Sequence, residues 1–236
     1  MSNILIVCAS NKELKSVKKQ IKNISHPQKN KIFYLASGIG NYQTIQNFTS
    51  FLEKNKIDFV INIGICGRSN EKPPAIQVGR IKNIHTNKEL IVPIFFKYEK
   101  IESIACSENI CKQKNFSENF VDMESFGIEF VCSKYNIPRI ILKVPYDEIG
   151  KDISNIDFEE AADSIGKKID INKLIQHSQK YIQKIPKEKD RSHLKQELNL
   201  SFQQYQILKH KIKKREVLNQ KDFNPKYHLD EIDFTK

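Results

Sequence analysis

The feature that most constrains this chain is an alternation: apolar runs of strand length are followed by segments of helical period, and most runs end in a small or glycine-containing turn. Asn3-Ile4-Leu5-Ile6-Val7-Cys8-Ala9 is a continuous apolar run, the pattern of a strand covered on both faces. Asn11 is the expected N-cap of the next segment, which carries Leu14, Val17, Ile21 and Ile24 on one helical face. Residues 31–36 predict a second strand, ending in Ser37-Gly38-Ile39-Gly40-Asn41. A helix striped by Ile45, Phe48 and Leu52 follows. Residues 58–63 predict a third strand, closing into Gly64-Ile65-Cys66-Gly67. The stretch 69–117 is the least regular, with strands expected at 78–81, 90–96 and 101–106. A helix is expected over 123–135, with Phe126, Phe130 and Val131 facing inward. Residues 137–144 read as a strong late strand, with Pro138 at its start, where a missing N–H is tolerated. This alternation predicts an α/β domain with a mainly parallel sheet. Ligands in such sheets collect at the carboxyl ends of the strands. Those ends are residues 9–10, 37–38, 64–65, 106–107 and 144–147.

Beyond Gly150 the period turns wholly helical. Helices are expected at 158–169 and 171–185, and Pro186 stops the second. A charged linker spans 187–191. A single helix is then expected from 193 to about 218, with Leu194, Leu198, Phe202, Tyr205 and Leu208 on one side, followed by an aperiodic tail at 219–236. The reading divides the chain into a main domain, 1–185, and a basic helical C-terminal extension with its tail, 186–236.

Composition narrows the class. Over 236 residues, 39% hydrophobic and 28% charged is a globular balance that excludes collagen, a disulfide miniprotein and wholesale disorder. No apolar run approaches the ~18 residues of a membrane helix. The N-terminus has no basic region or small-residue cleavage site, so the expected compartment is the cytoplasm, with no membrane partner. The five cysteines, Cys8, Cys66, Cys106, Cys111 and Cys132, form no CxxC pair and read as reduced, mostly buried thiols. Neither a metal nor a cofactor is expected. The net charge of +11 comes mostly from dispersed lysines. Lys209, Lys211, Lys213, Lys214 and Arg215 form the one dense run, read as the solvated face of a packed helix, against nucleic acid as a partner.

Individually, the chemistry-bearing pieces admit plain readings. Ser37-Gly38-Ile39-Gly40 is either turn chemistry or a backbone cradle for a ligand. Asp122 and Glu124 are expected at a helix start, where carboxylates are favoured. Asp147 follows the late strand, either as a turn residue or where α/β enzymes place catalytic groups. Glu13 alone reads as a solvated first-turn residue.

In order, they carry more. Ser37-Gly38-Ile39-Gly40-Asn41, Val60-Ile61-Asn62-Ile63-Gly64-Ile65-Cys66-Gly67, Val121-Asp122-Met123-Glu124-Ser125 and Leu142-Lys143-Val144-Pro145-Tyr146-Asp147 resemble the successive motifs of the purine nucleoside phosphorylase/uridine phosphorylase superfamily. The nearest branch is the 5′-methylthioadenosine/S-adenosylhomocysteine nucleosidases, and the resemblance spans roughly residues 3–185. It implies a three-layer α/β fold with a central mixed sheet flanked by helices, plus the C-terminal helical extension. It implies cleavage of the N-glycosidic bond of a purine nucleoside, the small-molecule partner, and admits a homodimer. On the family pattern Met123 packs under the ribose and Glu124 accepts its hydroxyls. Asp147 protonates purine N7, and Glu13 helps activate water. Ser37, Gly38, Ile65 and Cys66 fall at substrate-binding positions. The span between Gly67 and Asp122 is shorter than the family norm, and Ile110 and Cys111 stand where a base-stacking aromatic is usual.

Hydrolysis is favoured over phosphorolysis on physical grounds. A phosphate nucleophile needs Arg and hydroxyl donors. Asn62 stands where the hexameric phosphorylases of the superfamily carry an Arg, and Ile65 replaces a hydroxyl residue. A phosphate-dependent phosphorylase and a non-catalytic or degenerate nucleoside-binding member are the alternatives.

Overall fold

The computed structural model describes residues 2–21, 30–111, 115–150, 157–185 and 193–218. The chain divides into two compact units, Met1–Ile182 and Gln183–Lys236.

The first unit opens on β1 (Ser2–Cys8), whose apolar residues Ile4 to Cys8 are wholly buried. α1 (Asn11–Ile21) follows, then β2 (Asn30–Ala36), α2 (Asn41–Lys54) and β3 (Phe59–Arg68). Ser10, not Asn11, caps α1. Its Oγ accepts from Glu13 N at 3.3 Å while the Glu13 carboxylate accepts from Ser10 N at 2.9 Å, a reciprocal Ser-x-x-Glu cap. The irregular middle gives β4 (Ile76–Asn83), β5 (Glu89–Ile91), β6 (Ile101–Cys106) and β7 (Phe120–Asp122). β5 is far shorter than the expected 90–96, as Pro93 cannot donate to a ladder. α3 (Ser125–Tyr135) begins two residues later than expected, and Phe130 is 46% exposed rather than turned inward. β8 (Arg139–Glu148) runs four residues past the expected end, so Asp147 lies on the strand and not beyond it. α4 (Phe158–Lys168) and α5 (Ile171–Lys184) complete the unit.

The described sheet is mixed and mainly parallel, as expected: five of its eight strand pairings are parallel, β4–β6 and β6–β7 among them. β1 pairs in parallel with β2 and β3, and β3 in parallel with β8. The pairs β3–β7, β4–β5 and β4–β8 are antiparallel. Strand order is β2-β1-β3-β7-β6-β4-β5, and β8 bonds to both β3 and β4. β3, β7, β6, β4 and β8 therefore form a closed circuit of hydrogen-bonded strands. Strand alternation splits β1 between two faces. Leu5 and Val7 pack with Phe48 of α2 and with Ile128, Val131 and Cys132 of α3. α1 packs against α4, and the result is a central sheet flanked by helices.

In the second unit the single helix expected at 193–218 is two: α6 (His193–Glu197) and α7 (Phe202–Val217). Asn199 takes a left-handed φ of 49°, and Ser201 with Gln204 forms a capping box that starts the second helix afresh. Leu194, Leu208 and Ile212 form its small core, while Phe202 is 65% exposed and not on the packed side. The expected linker at 187–191, with Pro186, and the tail at 219–236 lie outside the described residues. Among the described residues no helix is long and apolar enough to cross a membrane.

Candidate active site

A cavity of about 190 Å³ opens at the carboxyl ends of β1, β3 and β8. Glu13, Ile65, Cys66, Ile110, Cys111, Met123, Glu124 and Asp147 all line it. Ser37 and Gly38 do not. Ser37 is wholly buried, its N–H donating to Cys8 O at 2.8 Å, and Gly38 N donates to Ala9 O at 3.0 Å. Those two residues bind the end of β2 to the end of β1, and it is the next residue, Ile39, that reaches the cavity. Their role is turn chemistry, which the same glycine-rich pattern supports equally well.

Glu13 is not a solvated residue. It is 6% exposed. Its Oε1 accepts from Ile65 N at 3.1 Å, and its Oε2 accepts from Ser10 N and Ser10 Oγ. Helix α1 thus delivers a carboxylate onto β3. Gly64 makes the approach possible: a Cβ there would lie 3.0 Å from Glu13 Oε1 and 3.4 Å from Lys143 Nζ.

Lys143 went unread in the sequence, although a charge inside an apolar strand is itself a signal. It is 1% exposed, and its Nζ donates to Asp122 Oδ2 at 2.7 Å. Ser125 N and Oγ donate to the same oxygen, so Asp122 both caps α3 and holds Lys143. The other oxygen, Asp122 Oδ1, is buried without a hydrogen-bond partner. Burial works against the Lys143 charge, but Asp122, Glu124 and Glu13 outweigh it and hold the ammonium well above its ordinary pKa.

Glu124 is 6% exposed, and its Oε1 accepts from Gly40 N at 3.1 Å, at the start of α2. Burial pushes its pKa up to about 7. Asp122 and Glu13 add to the rise, while Lys143 and the Gly40 N–H oppose it. Asp147 and Met123 are partly buried on the cavity wall.

Among the described residues the lining includes five carboxylic residues, Glu13, Asp122, Glu124, Asp147 and Glu148, and no Lys, Arg or His. Ile39, Ile110 and Phe158 also line it while remaining 60%, 51% and 50% exposed, so the rim is apolar and the floor acidic. Ile39 and Phe158 went unread because each looked like an ordinary residue beside a helix start. Among the described residues no cluster of His, Cys, Asp and Glu could hold a metal ion. The cysteines are free, and burial, helped by Asp122 and Asp147, pushes the Cys66 thiol well up.

No protein-family model and no curated protein matches the sequence. Solved structures do match the fold. The 5′-methylthioadenosine/S-adenosylhomocysteine nucleosidase of Helicobacter pylori, solved with butyl-thio-DADMe-Immucillin-A, aligns with a TM-score of 0.63 at 15% identity, over 75% of this chain and 99% of that one. The nucleosidase of Campylobacter jejuni aligns at 0.62 and 15%, over 76% and 100%. A mutant futalosine hydrolase of H. pylori aligns at 0.62 and 14%, over 75% and 100%. The chain has the fold of these nucleosidases.

Proposed function

We propose that this chain hydrolyses the N-glycosidic bond of a purine nucleoside of the 5′-methylthioadenosine or S-adenosylhomocysteine type, releasing the free base. The observation that carries the reading is the convergence of Glu13, Met123, Glu124 and Asp147 on one cavity whose described lining is rich in acids. Fold likeness to enzymes named as nucleosidases supports it.

The chemistry follows from the placement. The ribose lies on Met123, with its hydroxyls donating to Glu124. As the C1′–N9 bond breaks, its electron pair passes to the base, and Asp147 gives its proton to N7. The sugar becomes cationic, and the surrounding carboxylates stabilise it electrostatically. Water then adds its oxygen to C1′ and passes a proton to Glu13. The oxygens of Glu13 are aimed by three donors at fixed positions. A dianionic phosphate in the same place would meet carboxylates and, among the described lining residues, no charge-assisted partner, and burying charge unpaired costs several kcal/mol.

The deciding experiment incubates the protein with a panel of purine nucleosides in phosphate-free buffer and assays free base and sugar. Base release with free ribose, or its 5′-substituted form, is the expected outcome. Strict dependence on phosphate, with ribose 1-phosphate as product, would overturn the hydrolytic reading. Tight binding of the panel without any base release would overturn the catalytic one.

A further inference from the structure

We propose that Glu108 is a positioning residue that holds the outer wall of the cavity closed. The wall is the segment that follows β6, residues 107–111. Ser107 folds it: its N–H donates to Asp122 O at 2.9 Å, and its Oγ accepts from Asn109 N at 3.1 Å. Asn109, Ile110 and Cys111 then line the cavity. Ile110 is 51% exposed, so apolar packing holds this segment weakly.

Glu108 supplies the anchor. Its Oε2 accepts from Asn41 N at 3.0 Å and its Oε1 from Tyr42 N at 3.3 Å. These are first-turn N–H groups of α2, without partners inside the helix, at the end where negative charge is stabilised. The contact joins chain positions more than sixty residues apart. Gly40, with φ +89°, leaves the space for it: a Cβ there would lie 2.8 Å from Glu108 Oε1. The same helix end donates Gly40 N to Glu124. One helix start therefore holds two carboxylates with different work, Glu124 on the floor of the cavity and Glu108 behind its wall.

Release of Glu108 therefore opens the wall and leaves the chemistry at Asp147 in place. Two cysteines report on this without any turnover, because Cys66 and Cys111 line the cavity while Cys8, Cys106 and Cys132 are buried and do not line it. The inference rests on the nucleosidase reading only for its kinetic arm. The experiment labels wild type, Glu108→Gln and Glu108→Ala with dithiobis(nitrobenzoate) and maps the modified cysteines by mass spectrometry. In Glu108→Ala, Cys66 labelling rises about tenfold or more while Cys8 and Cys132 stay protected, the signature of a local opening. Glu108→Gln, which keeps an acceptor but loses the charge, gives a smaller rise, about two- to fivefold, confined to the same cysteine. With 5′-methylthioadenosine, KM rises about fivefold or more in Glu108→Ala and kcat stays within about twofold.

Unchanged Cys66 labelling in Glu108→Ala overturns the proposal. So does a rise shared equally with Cys8 and Cys132, which would mean general loosening. If Glu108→Ala does not fold, Glu108→Gln decides by the same cysteine pattern. If the labelling follows expectation and no nucleoside is cleaved, the wall stands and the nucleosidase reading falls.

Discussion

The floor and the rim of the cavity are built on different terms. Glu13, Asp122 and Glu124 form a floor whose members are 5% or 6% exposed, fixed by hydrogen bonds from Ile65 of β3, Ser125 and Gly40, with the buried Lys143 of β8 paired to Asp122. Ile39, Ile110 and Phe158 form a rim that is half or more exposed and sits at turns and a helix start. Reaction chemistry needs donors and acceptors held to fractions of an ångström, and strands supply that. Choice of substituent needs only apolar area of roughly the right shape, which loops supply. A change in the floor should therefore alter rate and stability together, and a change in the rim should alter affinity alone.

The hardest test of that contrast is Asp147→Asn. The amide still fits the cavity but cannot act as an acid, so turnover falls by about 10²–10⁴ with nucleoside binding nearly intact. Pre-steady-state base release alongside equilibrium binding checks it; unimpaired turnover would remove Asp147 from the chemistry.

Lys143→Met comes next in size. It leaves Asp122 buried without its cation, and breaking a buried pair in this way costs about 3–5 kcal/mol. Denaturant unfolding measures the loss. Adding Asp122→Asn should restore much of it, and a double variant no more stable than Lys143→Met would show that the pair is not the unit.

Acidity offers a smaller probe. The folded state holds the Glu124 proton more tightly than the unfolded chain does, its pKa standing near 7 against an ordinary 4.5. The stability this carries is full below about pH 4.5 and is lost as pH rises through 7. Glu124→Gln should flatten that part of the curve of melting temperature against pH. Nucleoside affinity should move the opposite way in wild type, improving above pH 7 as the charged acceptor becomes available, and calorimetry at pH 6 and 8 tests the sign.

The smallest effect belongs to the rim. Ile110→Ala should raise KM about fourfold for each methylene the substrate loses as a contact, with kcat and melting temperature unchanged. A fall in kcat would mean that the rim is part of the chemistry and the contrast fails.

The same contrast decided what the sequence could reveal. That Glu13, Met123, Glu124 and Asp147 share one cavity was legible from the ordered motifs and the family resemblance they carry, while Glu13 alone read as a solvated first-turn residue. Lys143 was passed over because strand periodicity weighs a run by its majority and discounts the one residue that departs from it. Ser37 and Gly38 were overread: φ > 0 at a strand end, as at Gly38, serves a turn and a ligand cradle alike, and only hydrogen-bond partners 29 residues away separate the two. Glu108 left no trace, because its partners are backbone groups of Asn41 and Tyr42, and backbone groups carry no sequence signature. The break between α6 and α7 was likewise hidden, since Asn199 and Ser201 interrupt a period that the apolar residues on either side continue.

The closed circuit of β3, β7, β6, β4 and β8 has a consequence for how the molecule comes apart. None of the five can shed its hydrogen bonds on both sides without opening the ring, whereas β2 and β5 end the strand order with one neighbour each. Amide exchange should therefore have two tiers. β2 and β5 trade their protons in partial openings, and the five ring strands trade theirs together, in the event that unfolds the domain. The acids of β7 and β8 ride on the slower tier, so the chemistry stays assembled through the fluctuations that loosen the edges.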